Sequence, residues 1–141
     1  MASTSAICTS FKTDLPAGTH TAADTYKIAL FTSTATHGAS TTAYSATNEV
    51  TGTGYTAGGA TLSGFTIGSS GTTAWIDFTT DPSWPTSTLS TVASCLIYNS
   101  SKSNKALAVF DFGGVLAATA GTTLTLTFPV ADASNALIRI A

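Results

Sequence analysis

The chain has 141 residues, enough for one domain with a sizeable core, and 43% of them are hydrophobic, which excludes a disordered chain kept extended by charge. Only 9% are charged, and five Lys and Arg against seven Asp and Glu give a net charge of -2. So few scattered cations exclude a basic face for nucleic acid and electrostatic attraction to an anionic membrane.

The start of the chain lacks the basic segment and apolar core of a secretory signal. No apolar run approaches the roughly 18 residues that a membrane-spanning helix needs. We therefore expect a protein that is made in a cytoplasm and stays soluble there. In that compartment the two cysteines, Cys8 and Cys95, are expected to be small buried residues, although a single pair leaves a disulfide open.

Helix signals are nearly absent, because Gly, Ser and β-branched Thr interrupt almost every stretch of a chain with 29 Thr and 17 Ser. Short runs of alternating apolar and polar residues predict half-buried strands instead. In chain order the predicted strands cover residues 7–11, 26–31, 60–67, 74–78, 94–99, 106–112, 123–128 and 136–140. About eight antiparallel strands separated by Gly and Pro predict one all-β domain over residues 1–141, a β-sandwich or jelly roll.

The sequence makes more specific predictions for some of these strands. The nearly continuous apolar runs within 94–112 predict strands covered on both faces, joined as a hairpin by the polar, turn-rich stretch 100–105. Residues 123–128 alternate most strictly, with Leu and Phe on one face and Thr on the other. The apolar run 136–140 predicts a terminal strand tucked into a sheet.

The stretch 32–59 is long, polar and rich in Thr, Ala and Gly, with Tyr44 and Tyr55 as its aromatic residues. A loop of this length in a small domain is usually functional or has short structure of its own. Residues 45–50 suggest one helical turn capped by Ser45. The whole stretch is also a candidate for an extended arm that wraps a neighbour.

No arrangement of residues points to catalysis, a metal or a cofactor. His20 and His37 have no Cys or His at ligand spacing, and we expect them to be loop residues that bond to the backbone. The seven carboxylates are scattered singly, whereas hydrolysis of a glycosidic bond needs two that converge. Asp77 and Asp111 lie in predicted strands and could meet, but the pattern favours a protein that is not an enzyme.

Glycines and aromatic residues suggest turns and an interaction surface. The glycine-rich stretch 52–59 has neither the spacing of a dinucleotide fingerprint nor the Lys of a phosphate loop, so it predicts tight turns anchored by Tyr55. Trp75 is expected to pack in the sheet. Trp84, between two prolines, is expected in an exposed loop, where it could stack on a sugar. Tyr44, Tyr55 and Trp84 are therefore the candidate interaction residues.

Seven short segments, spread over most of the chain, have recognisable sequences and a recognisable order. They are DTYKIALFTS at 24–33, TTAY at 41–44, NEV at 48–50, GYTAGG at 54–59, LIYNS at 96–100, KSNKA at 102–106 and ALIRI at 136–140. Together they resemble a family of small virion structural proteins of tailed bacteriophages and prophages. None of the segments carries a catalytic signature.

The resemblance implies a component of the virion, made in the cytoplasm of the host bacterium. A capsid cement or decoration protein is the expected role, bound to the major capsid protein on the capsid surface. Such proteins are commonly trimers or other homo-oligomers, so a homotrimer is expected. The alternative is a protein of the tail or fibre that contacts a glycan on the host surface.

Overall fold

Two antiparallel β-sheets form a sandwich, which confirms the predicted all-β class. The computed structural model describes residues 2–141. Its elements in chain order are β1 (Ala6–Ile7), α1 (Thr9–Asp14), β2 (Tyr26–Phe31), β3 (Ala60–Leu62), β4 (Phe65–Ser70), β5 (Thr73–Phe78), β6 (Ser83–Asn99), β7 (Lys105–Thr125) and β8 (Ile138–Ile140). The larger sheet has the strand order β1-β7-β6-β2-β3, and the smaller has β4-β5-β8.

The core is centred on β2 and the ends of β6 and β7 that lie beside it. Ile28 pairs with Ile97, and Leu96 pairs with Val109; all four are fully buried. Neighbouring residues along each strand are buried on opposite faces, so the sheet is covered on both sides here, as the apolar runs predict. Phe11 of α1 completes the core from outside the sheet.

The predicted hairpin over 94–112 is confirmed, and its turn runs from Lys102 to Lys105. The N–H of Lys105 donates to the carbonyl of Lys102 over 3.1 Å. Ser103 and Asn104 between them have positive φ values of 52° and 59°, the backbone of a type I′ turn.

The same hairpin extends far beyond its predicted ends. Strand β6 begins at Ser83 and β7 continues to Thr125. These extensions were not predicted because residues 83–93 and 113–122 are rich in Ser, Thr, Gly and Ala without regular apolar alternation. The alternation predicted at 123–128 persists in the burial pattern, although β7 ends within that range.

The strand predicted at 7–11 is wrong. Strand β1 ends at Ile7, and α1 begins at Thr9. Cys8 and Phe11 are the residues without exposed surface in this stretch, and a spacing of three places two side chains on one face of a helix. Burial of both residues therefore favours the helical turn over a strand.

The helical turn suggested at 45–50 is also wrong. The N–H of Glu49 donates to the carbonyl of Ala46 over 3.1 Å in a β-turn, and Asn48 has a positive φ of 64°. A capping box would need the Glu49 side chain to reach back along the chain. The hydroxyls of Tyr44 and Tyr55 bind its carboxylate instead.

The single strand predicted at 60–67 is two strands in different sheets, β3 and β4. The break falls at Gly64, which has a φ of 73° and lies so close to Thr79 that a Cβ would overlap that side chain. At the chain end, β8 pairs with β5 as the edge of the smaller sheet, with Ile138 buried and Ile140 43% exposed. The predicted terminal strand is therefore present but shorter.

Candidate functional site

Trp84, the candidate for sugar stacking, is buried in β6 opposite Leu124 and is 4% exposed. The prediction of an exposed loop at this position is wrong. Pro85 next to it is accommodated because this part of β6 pairs with a strand, β7, on one edge. Trp75 packs in the smaller sheet as expected, with its ring over Gly68 of the neighbouring strand.

Tyr44 and Tyr55 are joined through a carboxylate. Their hydroxyls donate to the two oxygens of Glu49, each over 2.7 Å, and the N–H of Gly58 donates to one of those oxygens over 2.8 Å. The Tyr55 hydroxyl also accepts from the N–H of Leu30 over 2.9 Å. Burial, and then the bond to Glu49, raises the pKa of both tyrosines well above the ordinary value. These hydroxyls therefore serve internal contacts.

This network fixes the stretch 32–59 against the sheet. The N–H of Val50 donates to the carbonyl of Leu30, and that of Ala106 donates to the carbonyl of Thr42. Gly59, with a φ of 73°, lies directly against the backbone of Ile28, where a Cβ has no room. In this structure the stretch lies along its own sheet, whereas an arm would extend from it.

His20 is held by side chains of two elements, α1 and β6, not by backbone groups as expected. Its ring nitrogens lie 3.3 Å from a carboxylate oxygen of Asp14 and 3.0 Å from the amide nitrogen of Asn99. That amide also donates to Asp24 over 2.9 Å, and Lys105 lies 3.1 Å from Asp14. Because the Asn99 amide donates to Nδ1, this geometry fits the neutral imidazole with its proton on Nε2.

The hydrogen bonds around His20 have a structural role. Burial lowers the pKa of His20, although Asp14 acts in the opposite direction. Both ring nitrogens are engaged, and no hydroxyl or thiol nucleophile bonds to either of them. The network therefore ties the end of α1 to the turn of the β6–β7 hairpin.

The carboxylates that were considered for catalysis do not face a shared site. Asp77 in β5 is 0% exposed, and its oxygens accept from the N–H groups of Phe78 and Leu137 over 2.8 and 3.1 Å. Asp111 is exposed in β7, in the other sheet, where its N–H donates to Ser5 Oγ. Within residues 2–141 no three His, Cys, Asp or Glu side chains are placed to hold a metal ion.

Cys8 and Cys95 are both free and buried, as the first of the two sequence interpretations had it. Burial raises the pKa of Cys8 to about 11 and that of Cys95 to about 12. Both thiols are therefore protonated at neutral pH, and thiolate chemistry is disfavoured.

The most exposed regular structure is the far end of β7, residues 112–125, which we call the β7 ribbon. Val115 is 56% exposed and Leu116 is 37% exposed, and there is no charged residue in the ribbon. Beside its start lies an open groove of about 570 Å³. The groove is lined mainly by apolar side chains, among them Phe110, Phe112, Leu126, Phe128 and Leu137.

The β7 ribbon is the strongest candidate interaction surface, and the sequence interpretation did not include it. The signal was an uncharged stretch from residue 112 to residue 131. Because this stretch is rich in Thr, Ala and Gly, its composition resembles that of a loop. Isolated exposed apolar residues are ordinary, but an exposed pair on an open strand end beside an apolar groove marks a contact surface.

Comparisons with known proteins give no match to a family model, to a curated protein or to a solved structure. In the part of the chain that the structure describes, no helix is long and apolar enough to cross a membrane, and α1 has six residues.

Proposed function

We propose that this chain is a non-enzymatic structural protein of a tailed-bacteriophage virion, which decorates the capsid by binding the major capsid protein. On this proposal it is made in the bacterial cytoplasm, self-associates, with a homotrimer as the expected form, and lies on the capsid surface. The resemblance of the seven segments supports this assignment. The structural observation that carries it is the uncharged, exposed β7 ribbon on a well-packed sandwich.

The uncharged surface of the β7 ribbon suits the repeated contacts that a decoration protein makes on a capsid. Thr, Ala and Gly allow close approach of backbones, and an uncharged surface avoids the desolvation of ions. Each contact can be weak, because a shell repeats it many times and linked contacts strengthen one another. A protein with a net charge of -2 and a mixed, sparse set of charges also avoids strong repulsion between neighbouring copies.

The alternative role, in a tail or fibre that contacts a host glycan, has weaker support. A sugar-stacking platform needs an exposed ring face, and Trp84 is almost completely buried. The hydroxyls of Tyr44 and Tyr55 are bound to Glu49. The residues that suggested glycan contact therefore contribute to the fold, which favours the capsid proposal.

The test is to count and locate the protein in purified virions of the phage or prophage that encodes it. Quantitative mass spectrometry should give a copy number that scales with the major capsid protein, and electron microscopy should show density on the head. The major capsid protein and a tail protein of known copy number serve as internal standards. A handful of copies located at the tail would overturn the capsid proposal and favour the alternative.

A further inference from the structure

Strand β5 sends alternate side chains to the two faces of the smaller sheet. Ile76 and Phe78 belong to the hydrophobic core on the inner face. Trp75 precedes Ile76 and therefore leaves the strand on the outer face. It is half-buried, but within residues 2–141 it is neither a member of the core cluster nor one of the side chains packed against that cluster. Core packing therefore does not account for this large aromatic side chain.

The indole of Trp75 lies against Gly68, its partner in register on the neighbouring strand β4. A Cβ on Gly68 would overlap atoms of the six-membered ring of the indole. The φ of Gly68 is not positive, so the backbone conformation does not require glycine here. A glycine inside a strand often marks a place where another group approaches the backbone closely. Gly68 therefore lets one face of the indole rest on the sheet, while the other face is turned away from it.

Strand β8 places a cation beside this ring. Arg139 pairs with Trp75, so their side chains leave the sheet on the same face with their Cβ atoms about 5 Å apart. Arg139 is exposed, and no carboxylate within residues 2–141 lies at ion-pair distance from it. Asp77 has no exposed surface and accepts from backbone N–H groups, and Asp132 is bound within its own turn. The guanidinium is therefore available to an anion from outside.

Hydroxyl groups surround the indole on the same face of the sheet. Thr66 and Ser70 flank Gly68 along β4, two residues to either side, and Thr73 is two residues before Trp75 in β5. Ser70 is exposed, and the two threonines are partly exposed. A hydroxyl both donates and accepts hydrogen bonds. The outer face of the smaller sheet therefore combines an aromatic ring face, one unpaired cation and several hydroxyls.

We propose that this outer face binds a saccharide that carries a carboxylate, such as a uronic acid unit of an acidic polysaccharide. The indole of Trp75 stacks on the C–H groups of the sugar ring, and the guanidinium of Arg139 binds the carboxylate. The hydroxyls of Ser70 and Thr73 exchange hydrogen bonds with those of the sugar. The inference goes beyond the capsid proposal and does not depend on it, because an exposed protein of the head or of the tail can meet a polysaccharide.

The composition of the face favours an acidic saccharide over other ligands. Arg139 is the only cation in the three strands of the smaller sheet, whereas a nucleic acid needs a row of cations for its phosphates. A neutral apolar partner would bury the guanidinium without a counter-charge. An acidic peptide would use Arg139 and leave the ring face of Trp75 without a specific role. A saccharide with one carboxylate uses the ring, the cation and the hydroxyls together.

The test measures binding of three polymers by calorimetry. Polygalacturonate carries sugars and carboxylates, its methyl ester carries the same sugars without charge, and polyglutamate carries carboxylates without sugars. The wild-type chain should bind polygalacturonate best. Arg139→Gln should weaken that binding about tenfold and leave the ester unchanged, whereas Trp75→Ala should weaken both about tenfold. The matched control Lys12→Gln removes an exposed cation of α1 and should change neither affinity.

A second measurement uses the unmodified chain and keeps the test valid if a variant does not fold. The chain has two tryptophans, and Trp84 is 4% exposed, so its indole N–H signal in an NMR spectrum is an internal reference. Titration with a trimer of galacturonate should shift the indole signal of Trp75 and leave that of Trp84 in place. The conservative variant Trp75→Phe should keep part of the affinity, because it retains an aromatic face.

Four results would overturn the saccharide site. They are an absence of binding to polygalacturonate, an unchanged affinity of Arg139→Gln, an equal effect of Lys12→Gln, or a shift of the Trp84 signal alone. Polyglutamate bound as tightly as polygalacturonate would replace the saccharide with an acidic peptide. If the wild-type chain bound no polymer and Trp75→Ala only lowered stability, the indole would serve to cover Gly68. None of these results alters the copy number in virions, so the capsid proposal is tested separately.

Discussion

The two ends of the β6–β7 hairpin share the same strands but differ in what surrounds them. At the turn end, residues 94–99 and 106–109 are buried between β2, β1 and the covering loops. At the far end the β7 ribbon is mostly exposed, and Trp84, Leu89 and Val92 of β6 are its buried partners. At this end β7 therefore contributes few side chains to the core, whereas β6 still contributes several.

This difference separates the stabilising and the interacting parts of one element. Burial of large apolar side chains at the turn end supplies free energy of folding. At the far end, small and hydroxyl side chains contribute little burial, so their identity is free to serve contact with other molecules. We expect substitutions at the two ends to have opposite profiles, with loss of stability at one end and loss of association at the other.

The largest expected effect follows from truncation at the turn end. Leu96→Ala removes a fully buried side chain from the centre of the sheet and should lower the free energy of unfolding by about 2–5 kcal/mol. The matched variant Leu116→Ala in the β7 ribbon should change it by less than about 0.5 kcal/mol. Chemical denaturation of both variants measures the difference. Equal losses would contradict the division of the hairpin into two functional parts.

The next effect concerns the hydroxyl that ties the stretch 32–59 to the sheet. Tyr55→Phe removes the donor to Glu49 and the acceptor for the N–H of Leu30, and should destabilise the fold by about 1–3 kcal/mol. Tyr44→Phe loses its single hydroxyl contact to Glu49 and should cost less. Urea denaturation should rank the two variants in that order, and the reverse order would contradict this view of the network.

The sequence predicted the turn end well and the far end poorly, for a physical reason. The runs around Ile28 and Leu96 predict burial directly, because the apolar residues there are continuous. The helix at Phe11 was not predicted because Cys8 and Phe11 are too few to show helical spacing. Trp84 was misplaced because its neighbouring prolines resemble a loop when the pairing of β6 is unknown. Strand pairing is a property of the whole chain, and local composition records it weakly.

The candidate site shows the same limit. Tyr44 and Tyr55 stand out in the sequence as the aromatic residues of the stretch 32–59, but their shared partner, Glu49, depends on how that stretch folds back. Likewise, Asp14 and Asp24 flank His20 in the sequence, yet only the tertiary structure brings the Asn99 amide between His20 and Asp24. The pairing of β1 with Ala108 and Val109 of β7 also joins distant parts of the chain, which local composition does not record.

A smaller loss of folding stability is expected at acid pH. Burial lowers the pKa of His20 and His37 in the folded chain, so the unfolded chain binds more protons below the ordinary histidine value of about 6.5. Stability should therefore be complete above about pH 6.5 and fall as the pH drops below it. Protonated His20 would also place a second donor against the Asn99 amide.

Denaturation midpoints at constant ionic strength, measured from about pH 7.5 to pH 5, test this sign. The variant His20→Gln should keep only the part of the slope that His37 contributes. Asp14 and Asp24 do not share this pH range, because their lowered pKa values place their loss of stability at more acid pH. A flat profile, or stability that rises towards pH 5, would contradict the prediction.

The smallest effect on stability should accompany a clear effect on association. Val115→Ser with Leu116→Ser replaces the most exposed apolar pair of the β7 ribbon, and unfolding free energy should change by less than about 1 kcal/mol. The concentration needed for association should rise, because each side chain loses apolar burial against the neighbouring copy. Ile67→Ser, at a somewhat more exposed apolar position in β4, is the control and should leave association unchanged. If the two substitutions weakened association equally, the contact would not be specific to the far end of the hairpin.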